Sequence, residues 1–385
     1  MKKVLGIIAL LLISCYSYAT HEVGGYISLK CMGGYTYQAT ITTYTNTYLT
    51  TADRDTMRIW WGDGQYDVLT RVNGPIDANG FPGGEPICNY DFSQTPPQVL
   101  EDARKINIYI GTHTYTGPAN YKLWMDDPDR MAYIDNITNS VNVDFYLQTI
   151  LCISPFTGCV NTPLITNEPV CQYGCTGQCY TYNPGAYIPQ PPSDGDDSIE
   201  YVLGNSLVLG DQVAPGYVIP PGTTLDPHTG TLQWCSTQQG KWNFVILMVT
   251  WCRTYIDGAK LILPVDTEEL ELEVIINTAC NPPKVSSVDT CVVAGGTANL
   301  TFSANNGNSG HLIYITDAGE PFSLSPPAIL THYNPGFSVA PQFDWQTNCP
   351  EVRDNPYEVV IEATEKIAQG SGFPPDTAYY RAYGT

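Results

Sequence analysis

Three aspartates, Asp194, Asp196 and Asp197, crowd a short stretch that follows Pro191 and Pro192, and they are the strongest metal candidates in the chain. Calcium takes several hard carboxylate oxygens from a flexible loop, which is what this cluster offers. The plainer alternative is a solvated acidic turn after a proline-rich bend. The corresponding loop of a second repeat, Asn305 to Gly310, carries no carboxylate, so a calcium mechanism shared by the two is not expected. Asp126, Asp127 and Asp129 form a weaker group of the same kind. Cys171, Cys175 and Cys179 have spacings compatible with zinc ligands, but in an exported chain the same cysteines read as disulfides.

Catalysis finds little to work with. Five histidines, His21, His113, His228, His311 and His332, are the available imidazole bases, and none sits in a triad, metal or nucleophile-elbow motif. The opening Glu22-Val23-Gly24-Gly25 resembles the new N-terminus of trypsin-like proteases, yet no Gly-Asp-Ser-Gly-Gly segment follows anywhere. Paired acids for glycoside hydrolysis are defined by their separation in space, which a sequence does not display. The expectation is a non-enzymatic protein with no cofactor, calcium at 194–197 excepted.

Lys2 and Lys3, the apolar run Val4 to Ile13 and the small-x-small site Ser17-Tyr18-Ala19 have the grammar of a secretory signal peptide over 1–19. A rival reading makes Leu12-Ile13-Ser14-Cys15 a lipobox with Cys15 acylated. Either way the protein is expected outside the cytoplasm, extracellular or on the outer cell surface. Of thirteen cysteines, all but Cys15 remain after cleavage, an even set suited to disulfides. No later segment is apolar and long enough to cross a membrane as a helix. The formal charge of −21 repels nucleic acid and anionic lipid, which excludes both as partners.

The elements that must position these residues are strands. Alternation on a period of two recurs in Tyr35 to Thr42, Ile106 to Ile110 and Leu270 to Ile276, each expected to turn one apolar face inward. Helical periodicity is nearly absent; Gln98 to Arg104 is a short candidate better read as a turn. The abundance of Tyr, Gly and Pro agrees with an all-β chain. An internal repeat stands out: Leu232-Gln-Trp234-Cys235 matches Phe343-Asp-Trp345, and Trp242 to Val249 matches Tyr357 to Ala363. Its period is that of an immunoglobulin-sized sandwich. The expected organisation is the signal peptide at 1–19, an N-terminal β domain at 20–151, and sandwich repeats at 152–279 and 280–385. The second repeat is expected to be truncated, with the native polypeptide continuing. Cys235–Cys252 and Cys291–Cys349 are the bridges guessed from position. Asp55-Thr-Met, Asp197-Ser-Ile and Asp376-Thr-Ala match short O-glycosylation triplets.

The opening His21-Glu-Val-Gly-Gly-Tyr-Ile-Ser-Leu-Lys-Cys31, together with Thr112 to Pro118, Asn139 to Thr149 and Cys175 to Tyr187, resembles large surface proteins of gliding bacteria. Those proteins are exported by the type IX pathway and are often named for a gliding-motility-associated C-terminal domain. The turn and strand Leu225 to Leu232 resembles the signature of their immunoglobulin-like modules. The resemblance implies tandem PKD-like and cadherin-like or immunoglobulin-like sandwiches, with 20–151 as the PKD-like one. It also implies a scaffold for adhesion or display, with cell-surface polysaccharide, protein or a second copy as partner. The family's C-terminal sorting domain is not in this sequence. A second expectation is a set of carbohydrate-binding accessory modules belonging to a larger secreted enzyme, since Tyr and Trp suit sugar stacking as well as sandwich cores.

Overall fold

The computed structural model describes residues 22–47, 53–77, 80–91, 98–128, 130–189, 197–278, 280–286, 288–331, 333–353, 355–367 and 378–384. The signal segment 1–19 and Cys15 lie outside the described residues. The first strands are β1 (Glu22–Gly33), β2 (Thr36–Asn46), β3 (Thr56–Trp60), β4 (Tyr66–Thr70), β5 (Glu85–Asp91), β6 (Gln98–Thr114), β7 (Ala119–Asp127) and β8 (Phe145–Ile153). Then come β9 (Gln172–Cys175), β10 (Cys179–Tyr182), β11 (Ser198–Leu203), β12 (Leu207–Val208), β13 (Gln212–Val213), β14 (Thr224–Leu225), β15 (Leu232–Cys235), β16 (Gly240–Ile256) and β17 (Ala259–Asn277). The last group is β18 (Lys284–Val285), β19 (Thr297–Thr301), β20 (Ala304–Asn305), β21 (His311–Ala318), β22 (Ile329–Thr331), β23 (Ser338–Val339), β24 (Gln342–Gln346), β25 (Val360–Ile367) and β26 (Ala378–Gly384). Among the described residues the chain is all-β with a few short 3-10 turns, and no helix is long and apolar enough to cross a membrane.

Alternation explains the first core. In β1, β2 and β6 the inward residues Ile27, Leu29, Tyr37, Ala39, Ile41 and Tyr109 meet Met57, Ile59, Leu123, Met125, Phe145 and Leu147 from β3, β7 and β8. Gln98 to Arg104, read as a turn, is instead the start of β6, where Arg104 pairs with Cys88 and Asn46. Two layers packed this way make a sandwich.

β17 is the unexpected element. One of its edges pairs with β16 along almost the whole hairpin. The other pairs in turn with β8 through Asp266–Glu268, with β1 at Glu271, and in parallel with β9 through Val274–Asn277. Twelve strands thereby join in one sheet that contains both β1 and β17. The boundary expected at 151/152 therefore does not divide the described residues into separate sheets. The same core cluster holds Val23, Tyr26 and Tyr44 beside Trp234, Phe244 and Leu272.

Residues from Lys284 onward keep a core of their own, in which Ala298, Phe302, Phe343 and Trp345 face Ile313, Ile315, Ile361 and Ala363. The sheets β19-β24-β22 and β21-β25-β26 sit on its two sides. The repeat read from the sequence is present as topology: β10-β15-β14 corresponds to β19-β24-β22, and β11-β16-β17 to β21-β25-β26. Trp234 meets Trp242 edge to face at 5.1 Å, and Trp345 meets Tyr357 edge to face at 4.8 Å. These are tandem immunoglobulin-like β-sandwiches, the first of them fused through β17 to the N-terminal sandwich.

Candidate functional site

Of the calcium trio, Asp194 and Asp196 lie outside the described residues. Asp197 is buried, its Oδ1 accepts the backbone N–H of Arg253 at 3.0 Å, and its carbonyl accepts from the Asn355 side chain at 3.0 Å. That carboxylate tethers β16 to the loop ahead of β11. Among the described residues no group of three or more His, Cys, Asp or Glu side chains is placed to hold a metal ion. Asp127 is bound to Arg54 at 2.6 Å and 3.3 Å, and Asp129 lies outside the described residues. Asp126 is half-buried; burial, then Asp144, pushes its carboxyl above the usual range.

The zinc reading of Cys171, Cys175 and Cys179 is overturned. They bond to Cys88, Cys280 and Cys235 respectively, and a fourth bridge joins Cys31 to Cys159. Cys235 thus takes Cys179, its cross-strand neighbour in the β10/β15 pair, and not Cys252. The other guessed pair is also corrected: Cys291 and Cys349 are both exposed and unbridged. Three of the four bridges connect segments more than 80 residues apart, with separations of 128, 83 and 105.

Two of the histidines, His21 and His332, fall outside the described residues. His228 sits in the Asp226 turn, where Asp226 accepts its backbone N–H at 2.8 Å. His311 contacts Glu365 at 3.3 Å. His113 on β6 stacks on Trp61 with centroids 4.9 Å apart, meets Tyr115 edge-on at 4.8 Å, and bonds Asp63 at 2.8 Å. Asp63 stands in the Trp61-Gly62-Asp63-Gly64 turn and also accepts the Gln65 N–H. Partial burial raises the Asp63 carboxyl, but the bond from His113 and the Gln65 N–H outweigh it and hold it below the usual range. The pair locks the turn against the strand. Gly62 is obligatory there: it has φ +85°, and a Cβ would meet the Lys122 backbone at 2.6 Å.

Sequence reasoning missed the acidic row on β17. Asp266, Glu268, Glu269, Glu271 and Glu273 are all buried, although the Leu-Glu-Leu-Glu alternation predicts that the glutamates face solvent. Both faces of β17 are covered, so alternation there separates an apolar layer from a polar interior layer. Arg130 pairs with Glu271, and Asn243 donates to the same carboxylate at 2.8 Å. Arg104 reaches Glu273 at 2.7 Å. Asp266 accepts the Thr250 hydroxyl at 2.9 Å. Burial, and then Asp266 and Glu168, drives Glu268 well above the ordinary carboxylate range; burial, and then Glu271, does the same to Glu269. Beside them Glu168 accepts the hydroxyls of Tyr26 and Tyr44, and burial lifts it to about 7. Arg104 and Arg130 come from the N-terminal sandwich and the row from the following repeat, so the two are keyed together by charge as well as by sulfur.

One exposed face remains as a binding candidate. Strand pairing puts Tyr66 and Val68 of β4, Arg58 and Trp60 of β3, Trp124 of β7 and Ile150 of β8 on the outer side of that sheet. Trp60 and Trp124 stack at 5.1 Å with an interplanar angle of 12°, Trp124 and Tyr146 follow at 5.8 Å, and Tyr66 leans on Trp60 at 4.8 Å. The Arg58 guanidinium lies 5.0 Å from the Tyr66 ring centre. Because the tryptophans face each other, their π faces are engaged within the ladder. A flat platform for sugar stacking needs free ring faces, so the ladder does not favour the carbohydrate-module expectation.

No family model matches the chain, and no curated protein matches it either. Solved structures that align with it include the Dpr2 Ig1-Ig2 complex with DIP-Theta Ig1-Ig3, at 10% identity over 90% of this chain and 92% of that one, with a TM-score of 0.18. Drosophila OTK extracellular domains 3-5 align at 10% identity over 92% and 96%, with a TM-score of 0.18. The I9-I11 tandem from titin aligns at 7% identity over 90% and 91%, with a TM-score of 0.16. At such TM-scores the likeness carries no argument, and the architecture rests on the strand pairing described above.

Proposed function

We propose that the chain is an extracellular or cell-surface scaffold, used for adhesion or display and without catalytic activity. The observation that carries the reading is the cross-linking: three disulfides tie segments 83 to 128 residues apart, two of them across the junction at 151/152. Disulfides of this kind persist only in an oxidising compartment, which agrees with the signal-like segment 1–19. Closing such long loops restrains the unfolded chain and stiffens the folded one. A stiff, acidic, cross-linked body suits a part that holds other groups away from a surface. The described histidines serve packing and turns, which supports a role other than catalysis. The resemblance to surface proteins of gliding bacteria supports type IX export and a gliding-associated setting, with a surface protein, a polysaccharide or a second copy as partner.

The test is to express the full chain with a C-terminal epitope tag in a bacterial host and to follow its export, its exposure on intact cells and its thiols. The expected result is an exported product in which about four of the twelve cysteines after Thr20 react with a thiol reagent once denatured, matching the four that stand outside the bridges. Retention in the cytoplasm with most thiols reactive would overturn the reading.

A further inference from the structure

The last sandwich is open where the preceding repeat is closed. A cavity of about 880 Å³ lies between residues 288–294, the inner faces of β19 and β24, and residues 357–359. Its walls include Ala298, Leu300, Phe343, Trp345, Tyr357 and Val359, all belonging to or packed on the core of this unit. Interiors normally pack without voids of this size.

The internal repeat shows what belongs there. Gly177 donates its N–H to the carbonyl of Ser236, two residues past Trp234, and Gly295 donates to Thr347, two residues past Trp345. Tyr180 pairs with Trp234 as Ala298 pairs with Trp345. These equivalences place Gln172–Cys175, which is β9, on residues 290–293. The edge-to-face contacts of Trp242 and Tyr357 place β16 residues 242–246 on 357–361. In the first repeat the space between β9 and β16 is filled by the end of β17: Leu272 pairs with Phe244, Val274 with Trp242, and Val274–Asn277 run parallel to β9. Leu272, Val274 and Ile276 are wholly buried there. In the second repeat β26 pairs with β25 only as far as Gly384 opposite Ile361, the counterpart of Leu270 opposite Ile246. No described strand lies beside 357–359 or 290–293.

We infer that this cavity is a strand-acceptor slot, and that its occupant is an extended polypeptide strand with apolar residues at alternate positions. The strand runs in line with β26, antiparallel to 357–359 and parallel to 290–293. Main-chain hydrogen bonds to both neighbours hold it, and its inward side chains fill the cavity as Leu272, Val274 and Ile276 fill the first repeat. The slot continues the β25/β26 interface already formed, which fixes both its direction and its register. This inference is independent of the scaffold proposal, since it follows from the repeat alone.

The probe is a synthetic peptide with the sequence of residues 268–277, added to the intact chain. The expected result is saturable one-to-one binding, with a rise in melting temperature and a change in emission that disappears in Trp345→Phe while the binding remains. A peptide with Leu272, Val274 and Ile276 each changed to Glu is expected to bind at least about a hundredfold more weakly. Register gives a second readout. Tyr173 lies opposite Ile275 in the β9/β17 pair and corresponds to Cys291. A peptide carrying Ile275→Cys, with oxidised glutathione as oxidant, is therefore expected to cross-link to Cys291 several times faster than one carrying Glu273→Cys, and not at all in Cys291→Ser. Equal binding of the two peptides, cross-linking without register preference, or no binding at millimolar peptide would each overturn the slot.

Discussion

The ion pair between Arg130 and Glu271 offers the sharpest test that the N-terminal sandwich and the first repeat form one body. Both side chains are essentially inaccessible, at 2% and 0% exposure. Arg130 also donates to the carbonyls of Asp144 and Leu207, and Glu271 also accepts from Asn243. Replacing Arg130 by Met leaves a buried carboxylate with a neutral amide as its main donor, and breaking a buried pair from one side costs roughly 3–5 kcal/mol. Glu271→Leu strands the guanidinium and is expected to cost a similar amount. The double variant buries neither charge, so it should lose only the two carbonyl contacts, about 1 kcal/mol each. The three variants and the parent are compared by urea denaturation at pH 7 with tryptophan emission, taking stability as midpoint times slope. The expected non-additivity is at least about 2 kcal/mol. Single costs that add to within about 0.5 kcal/mol would refute the reasoning, because independent sites behave that way.

Removing one bridge with Cys88→Ser and Cys171→Ser frees an 83-residue loop and should cost about 4 kcal/mol in the same assay; a loss under about 1 kcal/mol would count against the cross-linked design. Burial lifts Glu168 to about 7 and Glu358 to about 8, so the folded chain binds protons that the unfolded chain has released. Their contribution is complete below about pH 4.5 and is lost as pH rises through about 7 and 8. Glu168→Gln keeps the neutral form throughout, and relative to the parent it should gain roughly 3 kcal/mol between pH 4 and pH 8; parallel stability curves would contradict this. Gly62→Ala should cost at least about 2 kcal/mol, from a left-handed backbone and a blocked Cβ, whereas Gly64→Ala, also at positive φ but with open space around it, should cost about 1 kcal/mol. Thermal melts that rank the two the other way would remove the turn from the account.

Much of the architecture was legible in local pattern. Period-two alternation located β2, β6 and β17, and the Leu-Gln-Trp and Phe-Asp-Trp pair found the repeat because each sandwich needs a large ring at the same place in its core. The Trp60 to Gly64 turn was readable from its glycines and its aspartate. Alternation misled in β17, since Leu270 to Glu273 has the same pattern whether the second face meets water or a buried arginine, and Arg104 and Arg130 lie more than 140 residues away in sequence. The cysteine pairs were unreadable for the same reason: Cys179 meets Cys235 because β10 lies against β15, a fact of register and not of spacing. The 151/152 boundary failed because a domain count from length does not foresee a strand long enough to serve two cores.

Disulfide mapping by mass spectrometry of a non-reduced digest bears most directly on the central claim that sulfur and β17 weld the chain into one cross-linked body. The expected linkages are Cys31–Cys159, Cys88–Cys171, Cys175–Cys280 and Cys179–Cys235. A Cys31–Cys88 peptide, which would confine the N-terminal cysteines to their own segment, would contradict it.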